Sequence, residues 1–546
     1  MTTHAVTNQV PPLVDYDVLG SDPALTEALD RWGNPADRAE LDELGHIAGT
    51  QEAQAWADQA DRVTPILHTH SRTGERIDEV EYHPAYHDLM RTAVGHGLTA
   101  EPWTKPLGTG AHVRRAAGFI VWSQVEAGHL CPVSMTYAAV PALRQAPELA
   151  ATWEPLLASR TYEFGLRPVT TKAGAIAGMG MTEKQGGSDV RTNSTHAAPS
   201  PGGPLAGTTY RLTGHKWFLS APMSDGFLIL ARTAAGITCF LVPRILDDGT
   251  RNTFELQRLK DKLGNRANAS SELELEGTWG SLVGEEGRGI RTIIDMVAST
   301  RLDTILGSTA GMRAALVRAV HHARHRDAFG AHLVDQPLMR NVLTDLALET
   351  EAATILGMRL AHAVDTEETE LARLGVAVGK FWVCKRTSPM VAEALECLGG
   401  AGYVEENGMA RIYREAPLNS IWEGSGNVNA LDVLRAIARE PGSLAAYSKE
   451  VVQARGHSRT LDALLDEVDT LSALAGREDA AWGARRLVER LALVFQASLL
   501  VRYAPADVAD AFIATRLEGQ HGATFGTSEP IPYTAQTAIL DRAFAG

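Results

Sequence analysis

The polar–apolar pattern is mainly helical from the start of the chain to about Gly178. Within it, Asp22-Pro23-Ala24-Leu25 predicts a helix start. Asp22 is the N-cap, and Pro23 takes the first helical position, where its missing N–H is no loss. Val113 to Gln124 holds mostly small and apolar residues, which predicts a buried helix. The pattern changes near Gly178. Short β-type runs follow at Tyr210–Thr213, Phe227–Leu230, Thr238–Val242 and Leu273–Leu275, with turns at Gly202-Gly203-Pro204 and Asp247-Asp248-Gly249. From Ile290 to about Ala438 the helical period returns in long segments, punctuated by Pro337, Pro389 and Pro417. Glu440-Pro441-Gly442-Ser443 reads as a linker. Beyond it lies more amphipathic helix, as at Trp482 to Tyr503, then a tail containing Gly, Thr and Pro. The expected fold class is mainly α with an inserted β domain. Its divisions are residues 1–178 (N-terminal helical), 179–284 (middle β), 285–440 (helical bundle) and 441–546 (extra C-terminal helical).

A chain of 546 residues is too long for one core, and with 45% apolar residues it builds its cores without disulfides or metals. The net charge of −15 excludes a general attraction to nucleic acid or to anionic membranes. Cys131, Cys239, Cys384 and Cys397 form no C-x-x-C and no zinc-like array, which fits the reducing cytosol. The segment MTTHAVTNQVPPL shows no basic n-region and no apolar h-region, and no apolar run approaches a bilayer span. A cytoplasmic location without a membrane span is expected. His321 and His325 have i, i+4 spacing but no H-E-x-x-H around them, so no metal is expected. Gly375 to Lys380 mimics a P-loop but is one residue short, with Phe381 where Ser or Thr belongs.

Four segments hold candidate chemistry. In Met179 to Asp189 a strand end runs into a loop with two glycines, where backbone N–H groups and the Thr182 and Ser188 hydroxyls can approach a polar ligand. In Gly214 to Ala221, adjacent aromatics beside a hydroxyl suit a planar cofactor. Leu398-Gly399-Gly400-Ala401-Gly402-Tyr403 is the third. In the fourth, Asn419 to Asn427, Glu423 stands among apolar residues before Gly-Ser-Gly, a setting that suits a general base. Taken singly, each also reads as an ordinary turn, core strand or surface loop.

Together and in this order they resemble the acyl-CoA dehydrogenase superfamily over roughly residues 80–440. M-T-E-x-x-x-G-S-D resembles its flavin signature, Arg326 to Gly330 its R-x-x-F-G, Leu398 to Tyr403 its L-G-G-x-G-Y/F, and Trp422 to Ser425 its Y-E-G-T. M-T-E-K-Q-G-G-S-D-V, R-L-K-D-K-L-G-N-R and N-S-I-W-E-G-S-G-N are similar to the AidB-like branch, which is linked to the alkylation-damage response. That likeness extends to the N-terminal extension and the C-terminal helical domain. It implies an N-terminal α domain, a middle β-barrel or sandwich, a C-terminal four-helix bundle and the extra helical domain.

The resemblance implies non-covalent FAD and α,β-dehydrogenation of an acyl-CoA or similar small thioester, of short or branched chain. Glu423 is the implied base, removing the α-proton while flavin N5 accepts the β-hydride. The developing enolate then needs donors already in place, in the family the backbone N–H of the Glu and a ribityl hydroxyl. Met181, Thr182, Gly187 and Ser188 fall at flavin-contacting positions of the β domain. Phe218 stands where most members carry Trp, and Ser220 takes the place of a hydroxyl near N5. Arg326, Phe329 and Gln336 take positions that reach the FAD of a neighbouring subunit, which implies a homotetramer built as a dimer of dimers. Gly399 and Gly400 line the dinucleotide, and Ser425 and Asn427 follow the base. Trp422 replaces the usual Tyr, Glu396 replaces a common Gln, and Thr300 occupies the position where some members place their base. The electron acceptor is left open. An alternative stays open as well, a DNA-associated alkylation-response flavoprotein with weak or vestigial dehydrogenation. Arg485, Arg486 and Arg490 form a local stripe for it, but residues 441–546 carry ten Lys and Arg against thirteen Asp and Glu.

Overall fold

The N-terminal third is helical with one interruption, a polar antiparallel hairpin of β1 (Ile66–His70) and β2 (Arg76–Glu81). In a computed structural model, which describes residues 3–473 and 479–545, the β-type runs of the middle segment fold into seven strands. These are β3 (Ala177–Gly180), β4 (His196–Pro199), β5 (Thr209–Ser220), β6 (Gly226–Thr233), β7 (Gly236–Pro243), β8 (Glu255–Leu259) and β9 (Ser270–Val283). β5 pairs with β9, β9 with β7, β7 with β6, and β4 with β5. A parallel bridge from His196 to Arg232 joins β4 to β6 and closes the ladder into a barrel. β3 and β8 lie off this ring on β6 and β9. β6 and β7 are apolar on both faces, and Phe227, Leu228, Ile229, Leu230, Cys239, Phe240, Leu241 and Val242 are all buried. A strand buried on both sides reads as a continuous apolar run. One side of this core is covered by the helices Leu130–Leu143 and Pro147–Leu157, through Met135, Leu143, Trp153 and Leu157.

Residues 55–106 and 126–300 form one compact unit around this barrel; residues 1–54, 107–125 and 301–546 form another. The second unit is almost wholly helical. Asp22 caps the helix Pro23–Trp32 by accepting the N–H of Leu25, as its position before Pro23 predicts. The helix Ala111–Ser123 is buried along its whole length after Ala111. The Asp365 carboxylate takes the N–H groups of Gly110 and His112 at 2.8 and 2.9 Å, where the positive end of the helix dipole favours an anion. Arg115 and Asp303 form a two-pronged buried pair at 2.5 and 2.8 Å. The long helices are Ile294–His325, Pro337–Asp365 and Thr369–Cys397, followed by Gly426–Arg439.

The C-terminal helices Pro441–Val451, Arg459–Ala473, Ala480–Tyr503 and Tyr533–Ala543 belong to this same unit. Trp382 Nε1 donates to Gln496 Oε1 at 3.1 Å, and the buried Glu349 carboxylate accepts from both Arg386 and Arg516. Three expectations change. Glu440-Pro441-Gly442-Ser443 is not a linker: Glu440 separates two helices, and Pro441 opens the second from its first position. The tail contains the helix Tyr533–Ala543. The β1–β2 hairpin lies inside the segment expected to be mainly helical. All four cysteines are free thiols, and among the described residues no helix is long and apolar enough to cross a membrane.

Candidate functional site

The loop of residues 181–189 follows directly on β3. Its geometry is set by Glu183, whose side chain is fully buried and pairs with Lys216 at 2.8 Å. Glu183 also accepts the N–H groups of Ser194 and Thr195 at 2.6 and 3.1 Å, while Lys216 donates a second bond to the Leu230 carbonyl at 2.6 Å. Burial would raise the Glu183 carboxyl. The Lys216 ammonium and the hydrogen bonds from Thr195 and Ser194 outweigh it and hold the group down at about 2. The loop closes on itself through mutual bonds between Glu183 and Gly186, and Trp217 N–H donates to the Thr182 carbonyl at 3.0 Å. The structure thereby brings Thr182 beside the segment of β5 that carries Phe218 and Ser220.

Phe218 and Ser220 project from the same face of β5, opposite the buried Leu219. Phe218 is 52% exposed. The Lys260 ammonium lies 3.2 Å from the Trp217 ring centre and 4.8 Å from that of Phe218. The Thr182 hydroxyl oxygen is buried without a hydrogen-bond partner among the described residues. Met181 is partly buried, and Gly187 and Ser188 are exposed on the outer side of the loop.

Glu423 sits in the other unit, half-buried, between the helical turn Leu418–Ser420 and the helix Gly426–Arg439. Its φ is +56° and that of Gly424 is +92°. A left-handed non-glycine residue persists only where its surroundings over-determine it, and such residues cluster at functional sites. Arg301 Nε donates to the Glu423 carbonyl at 3.1 Å, and its other arm pairs with Asp432 at 2.6 Å. Trp422 Nε1 donates to Asn419 Oδ1 at 2.8 Å, which fixes the indole beside the carboxylate-bearing residue. Ser425 is the N-cap residue of the following helix, and Asn427 is exposed on its first turn. Thr300, at the alternative base position, uses its hydroxyl on the Val297 carbonyl at 3.1 Å.

Arg326, Phe329 and Gln336 come together on a two-stranded hairpin, β10 (Asp327–Ala328) and β11 (Ala331–His332). Its turn residues Phe329 and Gly330 have φ of +53° and +86°, the type I′ geometry that matches strand twist. Gln336 Nε2 reaches the Ala328 carbonyl at 3.1 Å. Asn8 pins the hairpin by two bonds to Asp327, both 2.8 Å, and Arg326 donates to the Asn8 carbonyl. Phe329 at the tip is 100% exposed. Of the three glycines in Leu398 to Tyr403, Gly402 is a packing residue: a Cβ there would lie 2.4 Å from the Leu395 carbonyl oxygen. A Cβ on Gly399 or Gly400 would meet no described atom within 4 Å, so their backbone is open to close approach.

Glu183, Lys216 and Arg301 act on these loops and were not among the expected site residues. They join positions far apart in sequence, and spacing carries no signal for that. Glu183 was visible inside the M-T-E motif, but its partner was not. Among the described residues, no group of three or more His, Cys, Asp or Glu could hold a metal ion.

The sequence matches three family models: the adaptive response protein AidB N-terminal domain at residues 8–164, the acyl-CoA dehydrogenase middle domain at 178–278 and the acyl-CoA dehydrogenase C-terminal domain at 287–438. The AidB protein of Escherichia coli (strain K12) is 43% identical over 100% of this chain and 99% of its own length. Caenorhabditis elegans ACDH-11, solved in complex with C11-CoA, superposes with a TM-score of 0.84 at 25% identity, covering 99% of this chain and 93% of that one. Bd2924 in its apo form superposes with a TM-score of 0.83 at 28% identity, covering 91% of this chain and 100% of that one. With its AidB-type N-terminal domain, β barrel and helical C-terminal part, the chain belongs to the acyl-CoA dehydrogenase family, oxidoreductases that act on CH–CH bonds with a flavin.

Proposed function

We propose that this protein binds FAD and dehydrogenates an acyl-CoA thioester between Cα and Cβ, with Glu423 as the base. The observation that carries the reading is the Glu423 turn. A carboxylate is held on a left-handed backbone directly before a helix N-terminus, with its own carbonyl fixed by Arg301. The residues present fit the cofactor. Thr182 offers a buried hydroxyl that a ligand would satisfy, Phe218 an aromatic face for a planar ring, and Gly399 and Gly400 an open backbone for a dinucleotide. When bound, FAD would supply the two-electron acceptor for the hydrogen that Cβ loses as hydride. Glu423 takes the Cα proton, the electron pair of that C–H bond becomes the new C=C bond, and a trans-2-enoyl thioester leaves. Water exclusion strengthens every electrostatic contact to the developing enolate. The complex of ACDH-11 with C11-CoA supports an acyl-CoA ligand for this chain, and Trp422, bulkier than Tyr, favours short or branched acyl groups. The test is anaerobic addition of acyl-CoAs to the yellow protein, which should bleach the flavin.

The fully exposed Phe329, with Leu338 at 83% and Tyr403 at 82%, supports assembly of the chain into a tetramer whose hairpins serve neighbouring subunits. A second reading, DNA association, is favoured by one observation. Trp482 is 97% exposed near Arg485 and Arg486, which are also exposed on the same helix. Its test is a DNA titration, which must weaken as salt rises if phosphates are contacted.

A further inference from the structure

Lys380 lies in the middle of the helix Thr369–Cys397 and is 1% exposed. An ammonium has three donors, and all three go to main-chain carbonyls: Asn419 at 2.7 Å, Trp422 at 2.9 Å and Gly424 at 2.7 Å. These carbonyls lie on both sides of Glu423 in the chain. Arg301 holds the Glu423 carbonyl, and Asn429 Nδ2 bonds those of Gly424 and Ser425 at 2.6 and 3.1 Å. Every carbonyl from Trp422 to Ser425 is therefore gripped by a side chain of a surrounding helix. The reversed φ of Glu423 and Gly424 falls inside the stretch whose carbonyls converge on this cation. Burial pushes the Lys380 ammonium below its ordinary pKa, with Cys384 and Glu423 opposing the shift. Three carbonyl dipoles converging on the group favour its charged form.

We propose that Lys380 is a positioning residue for the base: by gathering the carbonyls of Asn419, Trp422 and Gly424 it holds Glu423 in the left-handed turn that aims its carboxylate. The inference rests on the reading of Glu423 as the base. Lys380 acts through the loop. Its loss should therefore slow proton removal while acyl-CoA binding is kept, because a small misplacement of a reacting group costs rate before affinity.

The test uses the flavin-loaded protein and two readouts. The first is hydrogen exchange of the segment 418–427. The second is anaerobic flavin reduction by butyryl-, isovaleryl- and C11-CoA in parallel. Lys380→Met keeps the length of the side chain and removes its donors. The account expects it to retain flavin, to exchange at least about tenfold faster in the segment 418–427 alone, and to lower the limiting reduction rate about 10- to 100-fold. Half-saturation should stay within about twofold of the parent. Lys380→Gln, which keeps two N–H donors, should fall between the two and serves as the probe if Lys380→Met does not fold. In a Glu423→Gln background, Lys380→Met should add no further loss. Parental exchange and rate in the Lys380 variants, with Glu423→Gln slow, would overturn the inference alone. A parental rate in Glu423→Gln would remove the base and the inference with it. Exchange accelerated throughout the bundle together with loss of flavin would show a general structural role and overturn it too.

Discussion

Thr182 shows how one atom separates a binding role from a structural one. Its hydroxyl oxygen is buried with no partner among the described residues, and such burial costs about 1–3 kcal/mol. A ligand that accepts from it recovers that cost. Thr182→Val should therefore act with opposite signs in the two states. Flavin-free protein should melt at the same temperature or higher, while flavin affinity falls about tenfold, the worth of one hydrogen bond. Flavin-release titrations and melting curves check both. A destabilised variant with parental affinity would give the hydroxyl a structural role instead. At this scale the sequence shows the residues that carry motifs: Thr182, Phe218, Arg326, Gly399 and Glu423 are all readable from local strings. Their supports are not. The Lys216–Glu183 pair and the grip of Arg301 on the Glu423 carbonyl each join distant positions, and only the folded chain reveals such pairs.

Among the elements, the hairpin of β10 and β11 makes the sharpest prediction. Phe329 touches solvent on all sides within its own chain, so its removal costs nothing there. Phe329→Ser should leave the melting of the subunit unchanged and weaken assembly by about 2 kcal/mol, roughly 30-fold in the dissociation constant, as an aromatic anchor does. Light scattering over a dilution series reads this directly; an unchanged assembly would place the tip outside any interface. Arg326→Ala should weaken flavin retention as well, if the hairpin serves the flavin as proposed, because a guanidinium there would make a charge-assisted contact to pyrophosphate. A monomer with full flavin occupancy would refute both. Other elements differ in how far the sequence discloses them. The Asp22-Pro23 cap and the apolar runs of β6 and β7 are plain, because each is set by local chemistry. The β1–β2 hairpin is not, because Leu67-His68-Thr69-His70 carries almost no apolar alternation. Pro441 punctuates the sequence as a linker would, yet in the structure it opens a helix.

The whole molecule carries a net charge of −15 and depends on buried carboxylates that are paired. Burial would raise the Glu349 carboxyl, but Arg386 and Arg516 hold it down at about 2. A carboxyl held below its ordinary 4.5 adds stability above that value and loses it as pH falls through the folded value. Glu349 should contribute about 3 kcal/mol near neutrality, all of it lost between about pH 4.5 and 2, with Glu183 acting in the same direction. Glu351 acts oppositely: burial, outweighing Arg542, raises it to about 6, so its contribution is full below 4.5 and lost as pH rises through 6. Melting temperatures should thus rise somewhat as pH falls from about 7 to about 5, through Glu351, and fall steeply below about pH 4.5. Glu349→Gln should flatten that acid limb; an equally steep limb in the variant would show that other groups cause it. The central proposal is that Glu423 is the base for an acyl-CoA thioester. Its most direct test is anaerobic flavin bleaching by an acyl-CoA panel in the parent and in Glu423→Gln. The account predicts flavin bound in both, and bleaching at least about 100-fold slower in Glu423→Gln, the low end for loss of a general base. Equal rates in the two proteins would contradict it.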